Sequence, residues 1–220
     1  MVLTNKNKRV IIKSNVRFKG GDNINSLKER ILNASIELFY KKGFVATGVR
    51  EISKKAKVSP SMINYHFGSK NGILKEIMEL FFSYLEEFLN NEHVEEKNFE
   101  ERIRTAIKSL VLALRNNEKM FKIIMTQIPD DDLDLIEYRT EKMKKIILGR
   151  IFLEEFKGFN SNIKYEIIGP ALSGMIFSHF LLKDIATQIS GKIFDDEFYE
   201  IYPDYIADIF LYGALKKLKD

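Results

Sequence analysis

The sequence predicts an all-α chain, with a small N-terminal three-helix unit built on a helix-turn-helix and a larger C-terminal helical body. Three observations lead there. From Ser26 onward apolar residues recur at three- and four-residue spacing, and no alternating run of useful length competes with them. Capping residues and breakers cut that pattern into helix-sized pieces: Ser26, Ser59-Pro60, Ser69, Asn98, residues 130 to 132 and Pro203 mark starts, while Gly43, Gly68, Asn116-Asn117, Pro129, Gly158 and Gly191 mark ends. The charge is also divided along the chain. Residues 1 to 75 hold 16 Lys/Arg against 4 Asp/Glu, and the remainder 19 against 27, so a net charge of +4 conceals a basic head on an acidic body.

Residues 1 to 24 form a basic arm. Lys6, Lys8, Arg9, Lys13, Arg17 and Lys19 face one acid, Asp22, and Gly20-Gly21 punctuates the end. Two readings stand: an arm that reaches a minor groove or tracks phosphates, and a tail of no consequence. Val10-Ile11-Ile12 is compatible with a short strand.

Residues 25 to 75 read as the head. Ser26-Leu27-Lys28-Glu29 is a capping box, which predicts a helix from there to near Gly43. Its stripe is Leu27, Ile31, Ala34 and Leu38, widened by Phe39, with Ile36 to one side, and Phe44 plugs the core. Thr47 is placed to cap a short helix with Val49, Ile52 and Ala56 inward. Lys57-Val58 turns the chain into Ser59-Pro60, a hydroxyl cap before a proline at the first helical position. The second short helix runs through Ile63 to about His66. Phe67 closes the core, Gly68 ends the helix, and Ser69 caps a long helix reaching about Asn90. Two short helices joined by a tight turn, the second polar outside, suit a recognition helix in a major groove. The long helix belongs to both head and body, which makes it a mechanical link.

Within this head, Val58-Ser59 followed by Ile63-Asn64-Tyr65-His66-Phe67-Gly68-Ser69-Lys70 resembles the signature of the TetR family of bacterial transcriptional repressors, over roughly residues 26 to 75. The sequence departs from that pattern twice: an aromatic residue is usual at Asn64, and an acidic one at Asn71 or Gly72. The resemblance implies a dimer that binds double-stranded, pseudo-palindromic operator DNA. Arg50, Ser61, Met62 and Asn64 are then candidates for base edges, and Thr47, Tyr65, His66 and Lys70 for phosphates. It also implies a body that encloses a small apolar or amphipathic effector whose binding releases the DNA.

In the body, residues 76 to 220, further helices are expected at about 98–115, 117–127, 131–157, 162–189 and 203–218. Phe121, Met125, Phe177 and Phe180 are candidates for the apolar wall of an effector pocket and His179 for its polar anchor, although core packing accounts for large apolar residues nearly as well. Gly169-Pro170 should loosen its helix and supply a pocket wall. The last two helices are the expected dimer interface, through Ile206, Ile209, Phe210, Gly213 and Ala214, whose small residues allow close approach. Leu211 or Tyr212 is an alternative inward residue.

Other chemistries find little equipment. The chain has no cysteine, which excludes disulfides, zinc fingers of the cysteine type and thiol catalysis, and fits a reducing, cytoplasmic compartment. Residues 1 to 20 lack the apolar core of a leader, and the apolar run 167–182 is too short to span a membrane. His66, His93 and His179 include no pair at helical metal-site spacing. The aspartates at 130 to 134 lack the glycine and glutamate of a calcium loop. No metal, no cofactor and no enzymatic activity are expected. The competing reading is a DNA-bound interaction protein controlled by a protein partner.

Overall fold

The computed structural model describes residues 22–90, 98–146 and 165–218, and these form nine helices among the described residues. They are α1 (Asp22–Lys42), α2 (Val49–Ala56), α3 (Pro60–Phe67), α4 (Lys70–Asn90), α5 (Phe99–Asn116), α6 (Glu118–Thr126), α7 (Leu133–Lys144), α8 (Tyr165–Ser190) and α9 (Asp196–Leu218). The basic arm up to residue 21, His93, Gly158 and the expected helical stretch beyond residue 146 lie outside the described residues.

α1 starts at Asp22 rather than at Ser26, so the expected capping serine sits inside the helix and residues 22 to 24 are not part of an arm. α1 is covered by α2 and α6 as well as α4. That explains why Ile36, expected beside the stripe, is buried with Ile31, Leu32 and Phe39.

The tight turn between α2 and α3 is as the sequence suggests, with different hands holding it. Lys57 takes the left-handed conformation at φ 55°, and Val58 N–H donates back to Ser53 O at 3.0 Å. Arg30, from α1, closes the turn from outside by donating to Ala56 O (2.6 Å) and Lys57 O (2.7 Å). Pro60 occupies the first position of α3, Gly68 ends it at φ +72°, and Ser69 Oγ accepts Gly72 N–H at 3.1 Å to cap α4.

One core runs through head and body. Ile31, Phe39, Phe44, Ile52 and Ile63 fill the head, and Ile73, Leu74, Ile77, Met78, Phe81 and Phe82 carry the apolar face along α4 into the body. α5 begins with a full capping box, in which Asn98 Oδ1 accepts Glu101 N–H at 3.0 Å and Glu101 accepts Asn98 N–H at 3.3 Å. Asp132 caps α7 through Leu135 N–H at 3.1 Å.

α8 continues through Pro170, whose missing N–H leaves the Glu166 carbonyl without its helical donor. Ser173 Oγ donates to Gly169 O at 3.0 Å beside this break. α9 begins seven residues before Pro203, which therefore lies inside the helix and not at its start. Asp195 Oδ1 accepts Phe198 N–H at 3.1 Å, and two more acids in the first turn favour that earlier start.

The expected dimer stripe on α9 divides. Ile206, Phe210 and Leu211 turn into the chain's own core, drawn there by α5, whose Arg104 also pairs with Asp208 at 2.5 Å. Ile209 and Gly213 stay exposed together with Ile201, Tyr205 and Tyr212, and the side chain of Ala214 lies outside the described residues. Among the described residues no helix is long and apolar enough to cross a membrane, and no cluster of His, Asp or Glu is placed to hold a metal ion.

Candidate nucleic-acid interface

The outward face of α3 follows from its inward anchor. Ile63 is fully buried, so residues one and two positions away point out: Ser61, Asn64 and Tyr65 are exposed, while Met62 and His66 are half-buried. Tyr65 is 81% exposed and makes an edge contact with the His66 ring at 4.9 Å. A phenol held that far out is not there to pack. Arg50 stands exposed in the first turn of α2. Around these residues lie the exposed cations Lys54, Lys55 and Lys57. Lys55 bonds Glu37 at 2.7 Å, and that bond holds the Glu37 carboxyl below its ordinary range.

Two expected phosphate donors are engaged inside the head. Gly48, not Thr47, is the N-cap of α2. Thr47 is 1% exposed and its hydroxyl donates to Gly43 O at 2.8 Å, a bond that braces the loop between α1 and α2. Lys70 lies over the Phe44 ring at 4.3 Å and donates to Phe44 O (2.7 Å), Thr47 O (3.0 Å) and Val45 O (3.3 Å). Burial pushes its ammonium below the ordinary lysine range. Its charge is thus spent on three carbonyls of one loop, and of the expected contact residues Arg50, Ser61, Asn64 and Tyr65 face outward, with Ser61 Oγ 2.8 Å from Ser59 Oγ.

Three further residues shape this site without being among the contact candidates read from the sequence. Arg30 holds the turn between α2 and α3, as described above. Gly72 is dictated by contact, because a Cβ there would meet Phe67 O at 1.8 Å. An acidic residue at Gly72 is therefore excluded. The carboxylate comes from elsewhere, since Asn71 Nδ2 donates to Asp132 Oδ2 and so brings the α7 cap to the start of α4. The departure at 71–72 is the visible signal for Gly72, and the aspartates at 130 to 132 signal the start of α7, but nothing local points to Arg30 or to the bond between Asp132 and Asn71.

In the body, the pocket candidates are brought together as a packed aromatic group. Phe121 is 1% exposed, with ring centroids at 5.1 Å from Phe177, 6.1 Å from Phe81 and 6.2 Å from Phe180, and Met125 is half-buried against the same core. His179 stands in a second aromatic group. Its ring stacks on Phe198 at 5.1 Å and lies 4.7 Å from Tyr202, and its Nε2 is within 2.9 Å of Tyr199 Oη. Burial, with Lys183 nearby, pushes its pKa down to about 4. The imidazole is neutral and its Nε2 already has a partner.

Comparison with known proteins agrees with this geometry. Residues 31–77 match the family described as bacterial regulatory proteins, tetR family. The chain is 24% identical over 133 residues, 59% of its length, to "Probable HTH-type transcriptional regulator YttP" of Bacillus subtilis, and 31% identical over 67 residues, 30% of its length, to IcaR of Staphylococcus epidermidis, named a negative transcriptional regulator of the biofilm operon icaADBC. These matches span 64% of YttP and 36% of IcaR. The fold is similar to the crystal structure of the transcriptional regulator FadR from Bacillus subtilis in complex with stearoyl-CoA, with a TM-score of 0.64 at 18% identity, covering 84% of this chain and 97% of that one. Residues 31–77 thus carry the DNA-binding head of the tetR family of bacterial regulatory proteins, on a chain whose whole helical fold is similar to that of solved regulators of this kind.

Proposed function

We propose that the protein is a repressor that binds a pseudo-palindromic operator as a dimer and lets go when a small, largely apolar effector enters its body. The observation that carries this reading is the arrangement of α3: Ile63 locks the helix from beneath while Ser61, Asn64 and Tyr65, beside Arg50, stand outward on the basic end of the molecule. Side chains with donors and acceptors at an exposed helix face are what base-edge and phosphate contacts require. One short helix reads few base pairs, so two copies reading two half-sites are expected.

Supporting the release step, Phe81, Phe121, Phe177 and Phe180 make a cluster large enough, once parted, to line an acyl chain. Stearoyl-CoA is the ligand in the similarly folded FadR. A difference of about 1–3 kcal/mol between the effector's affinities for two head arrangements changes DNA affinity roughly 5–150-fold, which a few apolar contacts supply.

The test is to select duplexes from a randomised pool, footprint the best of them, and titrate the complex with stearoyl-CoA and shorter acyl-CoAs. Two protected half-sites about one helical turn apart, released by an acyl-CoA, are expected. Release by a protein partner and by no apolar compound would replace the effector with that partner.

A further inference from the structure

α6 touches the head at both of its ends. Near its start, the ammonium groups of Lys119 and Lys122 lie 5.8 and 5.7 Å over the ring of Tyr40 in α1. At its end, the C-cap residue Gln127 turns its side chain so that Oε1 accepts the backbone N–H of Phe44 at 3.0 Å. An amide N–H can be met only by the oxygen of a glutamine, which fixes the orientation of the Gln127 head group.

Phe44 is the plug of the head core, 4% exposed with its ring 5.1 Å from Phe39. Its carbonyl is the one that Lys70 of α4 grips at 2.7 Å. The Phe44 residue is therefore held from two sides, its amide by α6 of the body and its carbonyl by α4. Lys70 carries the same hold on to Thr47 O, directly before α2 and Arg50.

The other side of α6 is tied into the body. Glu118 accepts Lys183 of α8 at 2.8 Å and pairs with Lys122 at 3.2 Å, and Lys122 reaches Asp184 of α8 at 3.3 Å. Arg139 of α7 donates to Ile124 O at 3.2 Å. Phe121 and the C-cap Gln127 therefore sit on one continuous nine-residue helix that is tied to α8 on its other side.

We propose that Gln127 is a positioning residue: through its bond to the Phe44 amide, α6 holds the head in the pose that binds DNA, as a second linkage beside α4. The proposal rests on the DNA-binding reading above and names the contact through which the body acts on the head.

The experiment compares wild type, Gln127→Met, which keeps the length but removes the acceptor, and Gln127→Glu, which keeps an acceptor. Each is measured for affinity to the duplex that the wild type selects from a randomised pool, for the salt dependence of that affinity, and for amide exchange of residues 43 to 48. Expected for Gln127→Met is a loss of about 5–20-fold in affinity, within the range of ordinary intersite coupling, with the salt slope unchanged and the Phe44 amide exchanging faster. Gln127→Glu keeps wild-type behaviour in all three. Wild-type affinity and exchange in Gln127→Met overturn the proposal. Equal weakening in Gln127→Glu, or a lowered salt slope, overturns it too, the first pointing to simple packing and the second to a direct DNA contact. If Gln127→Met does not fold, Gln127→Asn, which draws the acceptor back by one methylene, takes its place with the same expectations. A wild type that selects no duplex defeats the DNA-binding reading, and the exchange rates then decide the hold on Phe44 separately.

Discussion

Lys70 shows how a cation in a DNA-binding motif can serve the protein before it serves the DNA. Three loop carbonyls and the Phe44 ring surround its ammonium. Lys70→Ala should therefore destabilise the head by about 1–3 kcal/mol, the usual cost of leaving such acceptors unmet, read from the urea midpoint. The salt slope of DNA binding should not change; a slope lower by about one would return Lys70 to a phosphate. Gly72→Ala should cost the upper end of the ~1–3 kcal/mol typical of overpacking, because its Cβ meets the Phe67 carbonyl, a backbone atom that cannot rotate aside. His179 supplies a pH dependence. Its folded pKa, about 4, lies below the ordinary 6.5, so between these values the unfolded chain binds the extra proton. The stability carried by the neutral ring is complete above pH 6.5 and is lost as pH falls through 4. Lys183 opposes the protonated ring and Glu118 favours it. Unfolding curves of wild type minus His179→Gln should fall by about 2 kcal/mol across that window, and a flat difference would show that the ring is not held neutral.

At the scale of elements, what was legible in the sequence was what local chemistry decides. Ser59-Pro60, Gly68 and Ser69 bound α3 and α4 within a few residues, and each signal concerns its own backbone and no distant partner. The start of α9 was not legible because a proline is a strong local signal, yet its cost was outweighed by Asp195 and the acids of the first turn. Thr47 and Lys70 bear the right donors for phosphate, but only the fold shows those donors aimed at Gly43 and at the loop carbonyls. Long-range pairings such as Arg30 with Ala56, or Asn71 with Asp132, leave no periodic trace. The last of these gives a test. Asp132 caps α7 and also receives Asn71 from α4, so Asp132→Ala should cost about 1–2 kcal/mol, the high end for a lost cap. It should also couple non-additively with Asn71→Ala in a double-mutant cycle of thermal unfolding.

At the scale of the whole molecule, the apolar surface left uncovered is concentrated at one end of the chain. Of the twelve large apolar side chains exposed among the described residues, nine lie from Ile167 onward. On α9, Ile201, Tyr205 and Ile209 recur every four residues and Tyr212 follows three later, a continuous outward stripe on a helix whose opposite side, Ile206, Phe210 and Leu211, is already consumed by the core. α8 adds Leu182, Ile185 and Ile189. Because α9 is apolar on both sides, the sequence alone could not say which residues meet a partner; the fold leaves Ile209 and Gly213 available and withdraws Ile206 and Phe210. Under the proposed function a second copy is the partner expected on this stripe, since two linked heads gain effective concentration on the two half-sites of an operator. Ile209→Glu places a charge on this stripe at a residue 62% exposed, where the monomer fold loses little. The expected outcome is a shift from dimer to monomer in sedimentation at micromolar concentration, with helical content unchanged. Affinity for the selected duplex should fall on the order of 100-fold, the lower range of what bivalency contributes. A variant that remains dimeric would move the interface off this face of α9, and a monomer that still binds with full affinity would remove the need for a dimer altogether.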